Sequence, residues 1–311
     1  MGDTTQGQQL RPLGIGEIFD RSVTIYVRHF LLFVIISAFF VLPLSVVNYF
    51  VAAQQSGALA QILDQIEHGP RGAAPAGMPL APWIFAVVLV AFFLAPFMYV
   101  AMAAAIGKIY TGQPADWRAA YAVSLRHAGG IIVTAIFQLL IVMAASVAGV
   151  LVLTLAFALA FLLVRVAPAL GVIAGIAGAV LGVLFIVALM LCYLATALAF
   201  NTIGIEEASF GRAIAAGFAR VFNRAEIGKA VLICLAFLAV QLGLVLVSAV
   251  VSALIAGLLH QTLLQTVFAA LFSLVTTGFI GVLLAVYYFD VRIRREGLDM
   301  QAAIDRMQPQ P

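Results

Sequence analysis

The sequence predicts an all-α polytopic membrane bundle, with six transmembrane helices and three amphipathic helices lying along the cytoplasmic interface. Three observations predict it. Hydrophobic residues fill 65% of the 311 positions and charged residues 9%, where an ordinary soluble domain carries about 25% charged residues. The apolar residues gather into long runs, enough for several spans of ~20 residues each. Fourteen of the sixteen Lys and Arg residues fall between alternate runs, on one side of a six-span topology. Basic loops are retained in the cytoplasm, so the bias sets both termini there.

Each element follows in order. Residues 1–13 are polar and read as a disordered start. From Gly14 to His29 the apolar positions Ile15, Ile18, Phe19, Ile25 and Tyr26 keep helical spacing, opposite Glu17 and Arg21 at i,i+4. That is the first interfacial helix. Span 1 covers about Phe30–Ala52, with a kink expected at Pro43. Residues 53–82 read as the longest external loop, its end rich in Gly, Ala and Pro. Span 2 covers about Trp83–Ile106, with Trp83 in the interfacial position and Pro96 inside.

The cytoplasmic loop Gly107–Gly130 carries Lys108, Arg118 and Arg126, and a second amphipathic helix over Ala115–His127. Ile131–Phe200 then holds a single charge, Arg165. Three spans here would move Arg212, Arg220, Arg224, Arg292, Arg294 and Arg295 outside, and the charge bias rejects that. Two spans remain, hinged near Arg165–Pro168, each of roughly 32 residues and ~48 Å. They exceed a ~30 Å hydrocarbon core and must tilt, protrude or break. The third interfacial helix, Glu206–Arg224, lines Phe210, Ile214, Phe218, Val221 and Phe222 on one side and Arg212, Arg220 and Arg224 on another. Span 5 covers about Ala230–Val250, and an external turn holds His260 and Gln261. Span 6 covers about Thr266–Tyr288 and runs into Asp290-Val-Arg-Ile-Arg-Arg-Glu-Gly, a stop-transfer segment with local ion pairs. Residues 14–296 thus form one six-span domain, and 297–311 a polar tail. The three helix-plus-hairpin units start about 95–100 residues apart, a period expected of a bundle built by duplication.

Chemistry is sparse. Asp64, Glu67 and His68 share one helical face at metal-compatible spacing, but they also form the polar side of an amphipathic segment, which is the commoner outcome. No H-E-x-x-H, G-x-S-x-G or P-loop pattern occurs. His29 and His127 stand at span starts and read as interfacial anchors rather than pH sensors. Asn48, Gln138, Asn201 and Gln241 are the strongest polar residues of the spans, suited to hydrogen bonds between helices. Coupled transport usually leaves ionisable groups on the path; the spans offer none. Cys192 and Cys234 sit in apolar runs as small hydrophobes, not as a disulfide. Gly171, Gly175, Gly178 and Gly182 give two G-x-x-x-G matches on roughly one face, read first as packing inside the bundle and second as a homodimer interface. No cofactor or metal is expected, and basic residues scattered over several loops argue against nucleic acid.

Three stretches carry a family resemblance: Arg11-Pro-Leu-Gly-Ile-Gly-Glu-Ile-Phe-Asp-Arg-Ser, Ile205-Glu-Glu-Ala-Ser-Phe-Gly-Arg-Ala and Tyr287-Tyr-Phe-Asp-Val-Arg-Ile-Arg-Arg-Glu-Gly-Leu-Asp. With them the chain resembles the membrane domain associated with bacterial glycerophosphodiester phosphodiesterases, and the related stand-alone six-span proteins. In the larger relatives hydrolysis belongs to a separate soluble barrel domain. The resemblance therefore implies a membrane module without that activity. The expected function is a non-catalytic module that organises lipids, anionic ones above all, or a membrane protein partner. Its expected contacts are Arg118, Arg126, Arg212, Arg220, Arg224, Arg292, Arg294 and Arg295 on the cytoplasmic face. The alternative is a passive transporter or channel for a small or amphiphilic solute.

Overall fold

The computed structural model describes residues 12–68, 82–259 and 262–296, with the side chains of 12–50, 91–255 and 263–295. The readings made for residues 1–11 and 297–311, for the loop around Arg71, and for His260 and Gln261 lie outside the described residues, and the polar face of Asp64, Glu67 and His68 lies outside the described side chains. The expected disordered start stops short of Leu13, which is buried and bonded to Asp290. Helix accounts for 92% of the structure, and no strand occurs among the described residues. The nine helices described are α1 (Ile15–Arg28), α2 (Phe30–His68), α3 (Pro82–Tyr110), α4 (Trp117–Arg126), α5 (Ala128–Val166), α6 (Pro168–Glu206), α7 (Phe210–Val221), α8 (Ile227–Leu259) and α9 (Thr262–Glu296). Six of them, α2, α3, α5, α6, α8 and α9, are long and apolar enough to cross a membrane. The chain is a multi-pass membrane protein.

The three short helices share one end of the bundle, the basic end, because each links the close of one span to the start of the next or precedes the first. The Glu17 carboxylate accepts the Gly14 N–H at 2.8 Å and starts α1, satisfying one of the orphan donors of a helix N-terminus. His29 ends α1, with its N–H bonded to the Ile25 carbonyl at 3.1 Å, and α2 begins at the next residue. The α1 hydroxyl of Tyr26 donates to the Val275 carbonyl of α9 at 2.9 Å. In α4, Tyr121 donates to the Ile36 carbonyl of α2 at 2.7 Å and Ser124 to the Phe97 carbonyl of α3 at 3.0 Å. Each bond spends a buried polar group on a neighbouring span, which fixes where the short helix lies. Burial pushes the Tyr26 phenol up to about 12, so it remains a donor throughout the physiological range.

The core sits at this same end. Every residue from Ile280 to Val291 is buried, which makes α9 the central helix. Around it pack Ile18 and Tyr26 of α1, Phe33 and Ile36 of α2, Met98, Met102 and Ile106 of α3, and Leu194 and Leu198 of α6. Two glycines let α6 approach its neighbours closely. A Cβ at Gly204 would stand 2.5 Å from the Val100 carbonyl oxygen of α3, and one at Gly217 of α7 would stand 2.3 Å from the Ala195 carbonyl oxygen of α6. Neither distance admits an alanine without backbone movement.

Away from the basic end the bundle opens. The helices α5 and α6 break at Ala167, as expected, but each is an unbroken 39 residues and ~58 Å long. Of the alternatives for accommodating such lengths, breakage near the outer ends is ruled out. Only 6% of the most apolar stretch of α6 is buried in the chain; its side chains face outward, as lipid-exposed helices do. The glycine face needs correction here. Gly171 and Gly178 are buried and Gly182 has Leu153 of α5 at 3.6 Å from a built Cβ, whereas Gly175 faces open space. The seam toward α5 therefore runs Gly171, Gly178, Gly182, at intervals of seven and four residues that keep to one side of the helix.

Two boundaries also shift. The α2 helix continues to His68, so the first half of the expected external loop is helical. Glu206 closes α6 rather than opening the third interfacial helix; Glu207 follows in the left-handed conformation, φ 50°, and α7 starts at Phe210.

Candidate functional site

Charged and polar groups on the buried stretch of α9 need partners, and that stretch carries Tyr288 and Asp290 inside the core. Asp290 is 1% exposed. Its carboxylate accepts the Leu13 N–H at 2.6 Å and the Arg294 Nε at 3.2 Å, and pairs closely with the Lys229 ammonium. The Leu13 carbonyl in turn accepts Lys229 Nζ and Arg294 Nη2, both at 2.8 Å. One peptide segment ahead of α1 is thus clamped between the start of α8 and the end of α9, 277 residues away in sequence. Burying a lone carboxylate is prohibitive, but with two cations and a backbone donor its lone pairs are filled.

A second cluster lies one turn away. Arg220 of α7 is 5% exposed. Its guanidinium donates to Glu206 Oε1 at 2.7 Å, Thr202 Oγ1 at 2.7 Å and the Tyr288 hydroxyl at 3.1 Å. The same guanidinium lies over the Tyr288 ring, 4.7 Å from its centroid, an arrangement that suits Arg and not Lys. Tyr288 donates its hydroxyl proton to Glu206, and Arg292 Nε stands 3.6 Å from the same carboxylate oxygen. Five elements, α6, α7, α8, α9 and the segment before α1, are tied by two carboxylates.

The layer redistributes the basic residues read from the sequence. Arg220 is the clear correction: it is buried against Glu206, Thr202 and Tyr288 and does not face lipid. Arg292 and Arg294 are drawn onto Glu206 and Asp290. Arg118, Arg126, Arg212, Arg224 and Arg295 are exposed at the rim. Among them Arg126 stands 3.5 Å from Glu207, and Arg118 lies over Trp117. Glu206, Lys229, Thr202, Tyr288 and Asp290 were not read as a site. A carboxylate directly after the apolar run Gly281–Phe289 was the available signal for Asp290.

Beside the layer, a groove of about 280 Å³ lies between α5, α6, α8 and α9. Leu189, Met190 and Leu194 of α6, Ile233, Cys234 and Phe237 of α8, and Leu283 of α9 line it, with Tyr287 at its polar corner. The Tyr287 hydroxyl is buried without a hydrogen-bond partner among the described residues. The intramembrane amides divide their roles: Asn201 donates to the Leu284 carbonyl at 3.3 Å, a bond between α6 and α9. Gln138 lines a smaller cavity of about 150 Å³ with Tyr99 and Tyr193, to which neither Asn48 nor Gln241 contributes. At the basic end His127 closes α4 through the Val123 carbonyl, 3.0 Å from its Nδ1.

Set against protein-family models, curated proteins and solved structures, the chain finds no match in any of the three.

Proposed function

We propose that this chain is a non-catalytic module of the bacterial cytoplasmic membrane that organises lipid, with its basic end on the cytoplasmic side. The groove between α5, α6, α8 and α9 carries the reading. It is walled almost wholly by apolar side chains, borders helices whose other faces are exposed and apolar, and ends at Tyr287, beside the ion-paired layer. A groove of that composition suits an acyl chain, while the exposed Arg118, Arg212, Arg224 and Arg295 suit anionic head groups at about 1 kcal/mol each. The family resemblance supports the same reading. Its three motif stretches meet in one place: Leu13 from the first, Glu206 from the second, and Tyr288 and Asp290 from the third. In this reading the motifs maintain a structural clamp, and the carboxylates are consumed by cations instead of being presented to a substrate.

Native mass spectrometry of the detergent-purified chain tests it. The parent should retain phospholipid, and Leu189→Trp, which fills the groove, should lose it. Equal retention by both would end the acyl-chain reading. A passive conduit is the second reading, favoured by the Gln138 cavity with its two tyrosines; solute flux in proteoliposomes that falls in Gln138→Leu would support it instead.

A further inference from the structure

We infer that the cavity between α1 and the end of α3 binds a phosphate ester, the head group of an anionic phospholipid. The cavity measures about 400 Å³ and lies on the basic end, walled by α1, the last residues of α3 and the turn that follows. From α1 come Arg21, Thr24, Ile25 and Arg28, spaced i, i+3, i+4 and i+7 and hence on one face, with His29 at the helix end. From the α3 side come Ile109, Tyr110, Gly112 and Gln113. Two guanidiniums, an imidazole, an amide and a phenol therefore converge on one space. Guanidinium pairs are the usual donors to phosphate oxygens because their paired N–H groups match the anion.

Two further observations point to an anion. The Tyr110 ring supports the Arg21 guanidinium at the cavity wall, 5.2 Å from the centroid. The His29 imidazole is held below its ordinary value, by burial first and by the neighbouring Arg28 second; the space beside it is already rich in positive charge. The negative end of α3 does not oppose a ligand here. Gly112 N–H bonds the Ile109 carbonyl at 3.1 Å and Gln113 N–H the Lys108 carbonyl at 2.9 Å. Gly112 reaches this turn with φ 71°, a conformation open to glycine at little cost.

A lipid is the source that the surroundings favour. On the other side of α1 and at the start of α2, Val23, Val27, Phe30 and Leu31 are exposed, Leu31 at 72%. An amphiphile with its phosphate in the cavity has apolar surface within reach for its chains. The proposal rests on the lipid-module reading but uses a different site from the groove, so the two fail separately.

The experiment uses the full chain in nanodiscs of phosphatidylglycerol and phosphatidylcholine, with bound lipid counted after gentle extraction. The parent should enrich phosphatidylglycerol on the order of tenfold over Arg21→Gln/Arg28→Gln. Arg21→Lys/Arg28→Lys should retain part of the enrichment. Arg165→Gln, at the far end of α5, serves as the control. In a second arm glycerol 3-phosphate is titrated in detergent while His29 is followed by NMR. An upward move of its titration in the parent and none in Arg21→Gln/Arg28→Gln supports the phosphate site. A response to glycerol 3-phosphate without phosphatidylglycerol enrichment overturns the lipid source in favour of a soluble phosphate ester. No enrichment and no response overturns the site, and leaves Arg21 and Arg28 as partners of helix C-termini only.

Discussion

Asp290→Asn is the perturbation that tests the clamp most directly. The substitution keeps the size and one acceptor oxygen for the Leu13 N–H, but it strands Lys229 and Arg294 beside a neutral group in a site that is 1% exposed. Breaking a buried ion pair by removing one partner costs about 3–5 kcal/mol. The partial exposure of Lys229 and Arg294, 15% and 30%, lets both reach water after the change, so the lower end of that range applies. At 311 residues the chain lies beyond the 150–250-residue range in which each kcal/mol is worth about 2–4 °C in Tm, so about 2 °C applies. A fall of about 6 °C is expected from about 3 kcal/mol. The assay is intrinsic: Cys234 is 5% exposed and gains reactivity toward a thiol dye only when the bundle opens. A Cys192→Ala background removes the other thiol. Lys229→Gln alone should also destabilise, and the double variant should lose less than the sum of the two. A melting curve for Asp290→Asn that overlays the parent would refute the clamp, whatever the distances say.

Glu206→Gln should lower the melting point by a comparable amount, and Arg220→Lys should too, since an ammonium reaches fewer of Glu206, Thr202 and Tyr288 at once than the guanidinium does; unchanged melting of Arg220→Lys would mean the fork geometry is irrelevant. Gly217→Val should prevent α7 from seating on α6 and aggregate on heating, while Gly175→Ala, in open space, should be neutral; a reversal in the thermal assay would place the close contact elsewhere. Because His29 titrates lower folded than unfolded, the unfolded chain holds more protons, and stability should fall as pH drops through the unfolded value of about 6.5. His29→Gln should shrink the parent's loss between pH 7.5 and 5.5 if that sign is right. Tags at Met1 and Pro311 should report the same side of the membrane, and a cysteine at Ala74 the opposite one; opposite-side tags would exclude an even number of spans.

The long apolar runs and the break at Ala167 were legible because both are one-dimensional signals. Hydropathy alone marks a span, and Arg165 with Pro168 marks a reversal. The interfacial helices were legible for the same reason, since amphipathic spacing is local. The charge layer was not. In sequence, Asp290 and Arg294 look like the i,i+4 pair of a surface helix, and Arg220 looks like Arg212 and Arg224. What separates Arg220 is its meeting with Glu206 and Tyr288, residues 14 and 68 positions away. The glycine face misled in the same way: helical arithmetic groups Gly175 with Gly171, but α5 covers Gly178 and leaves Gly175 in open space. Which face of a membrane helix is covered depends on its neighbours, and the apolar composition is nearly uniform around it.

The position of the clamp bears on how the bundle reaches its final form. Leu13 lies ahead of all six described spans, and Asp290 lies in α9, the last of the six in chain order. Membrane helices enter the bilayer as individually stable elements and then associate, so α1 waits for α9 before its entry segment is fixed. Until then Lys229, Asp290 and Arg294 lack the Leu13 peptide that completes their partner set. Once α9 is in place, the carboxylate satisfies the Leu13 N–H and the cations of Lys229 in α8 and Arg294 in α9, and its burial becomes tolerable. The same bond network covers the basic end of the bundle, where the core sits, while α5 and α6 extend beyond it with little support from the other helices. Rigidity is therefore concentrated at the basic end, under the apolar groove, and the far end of the α5–α6 pair is left to be shaped by the lipid around it.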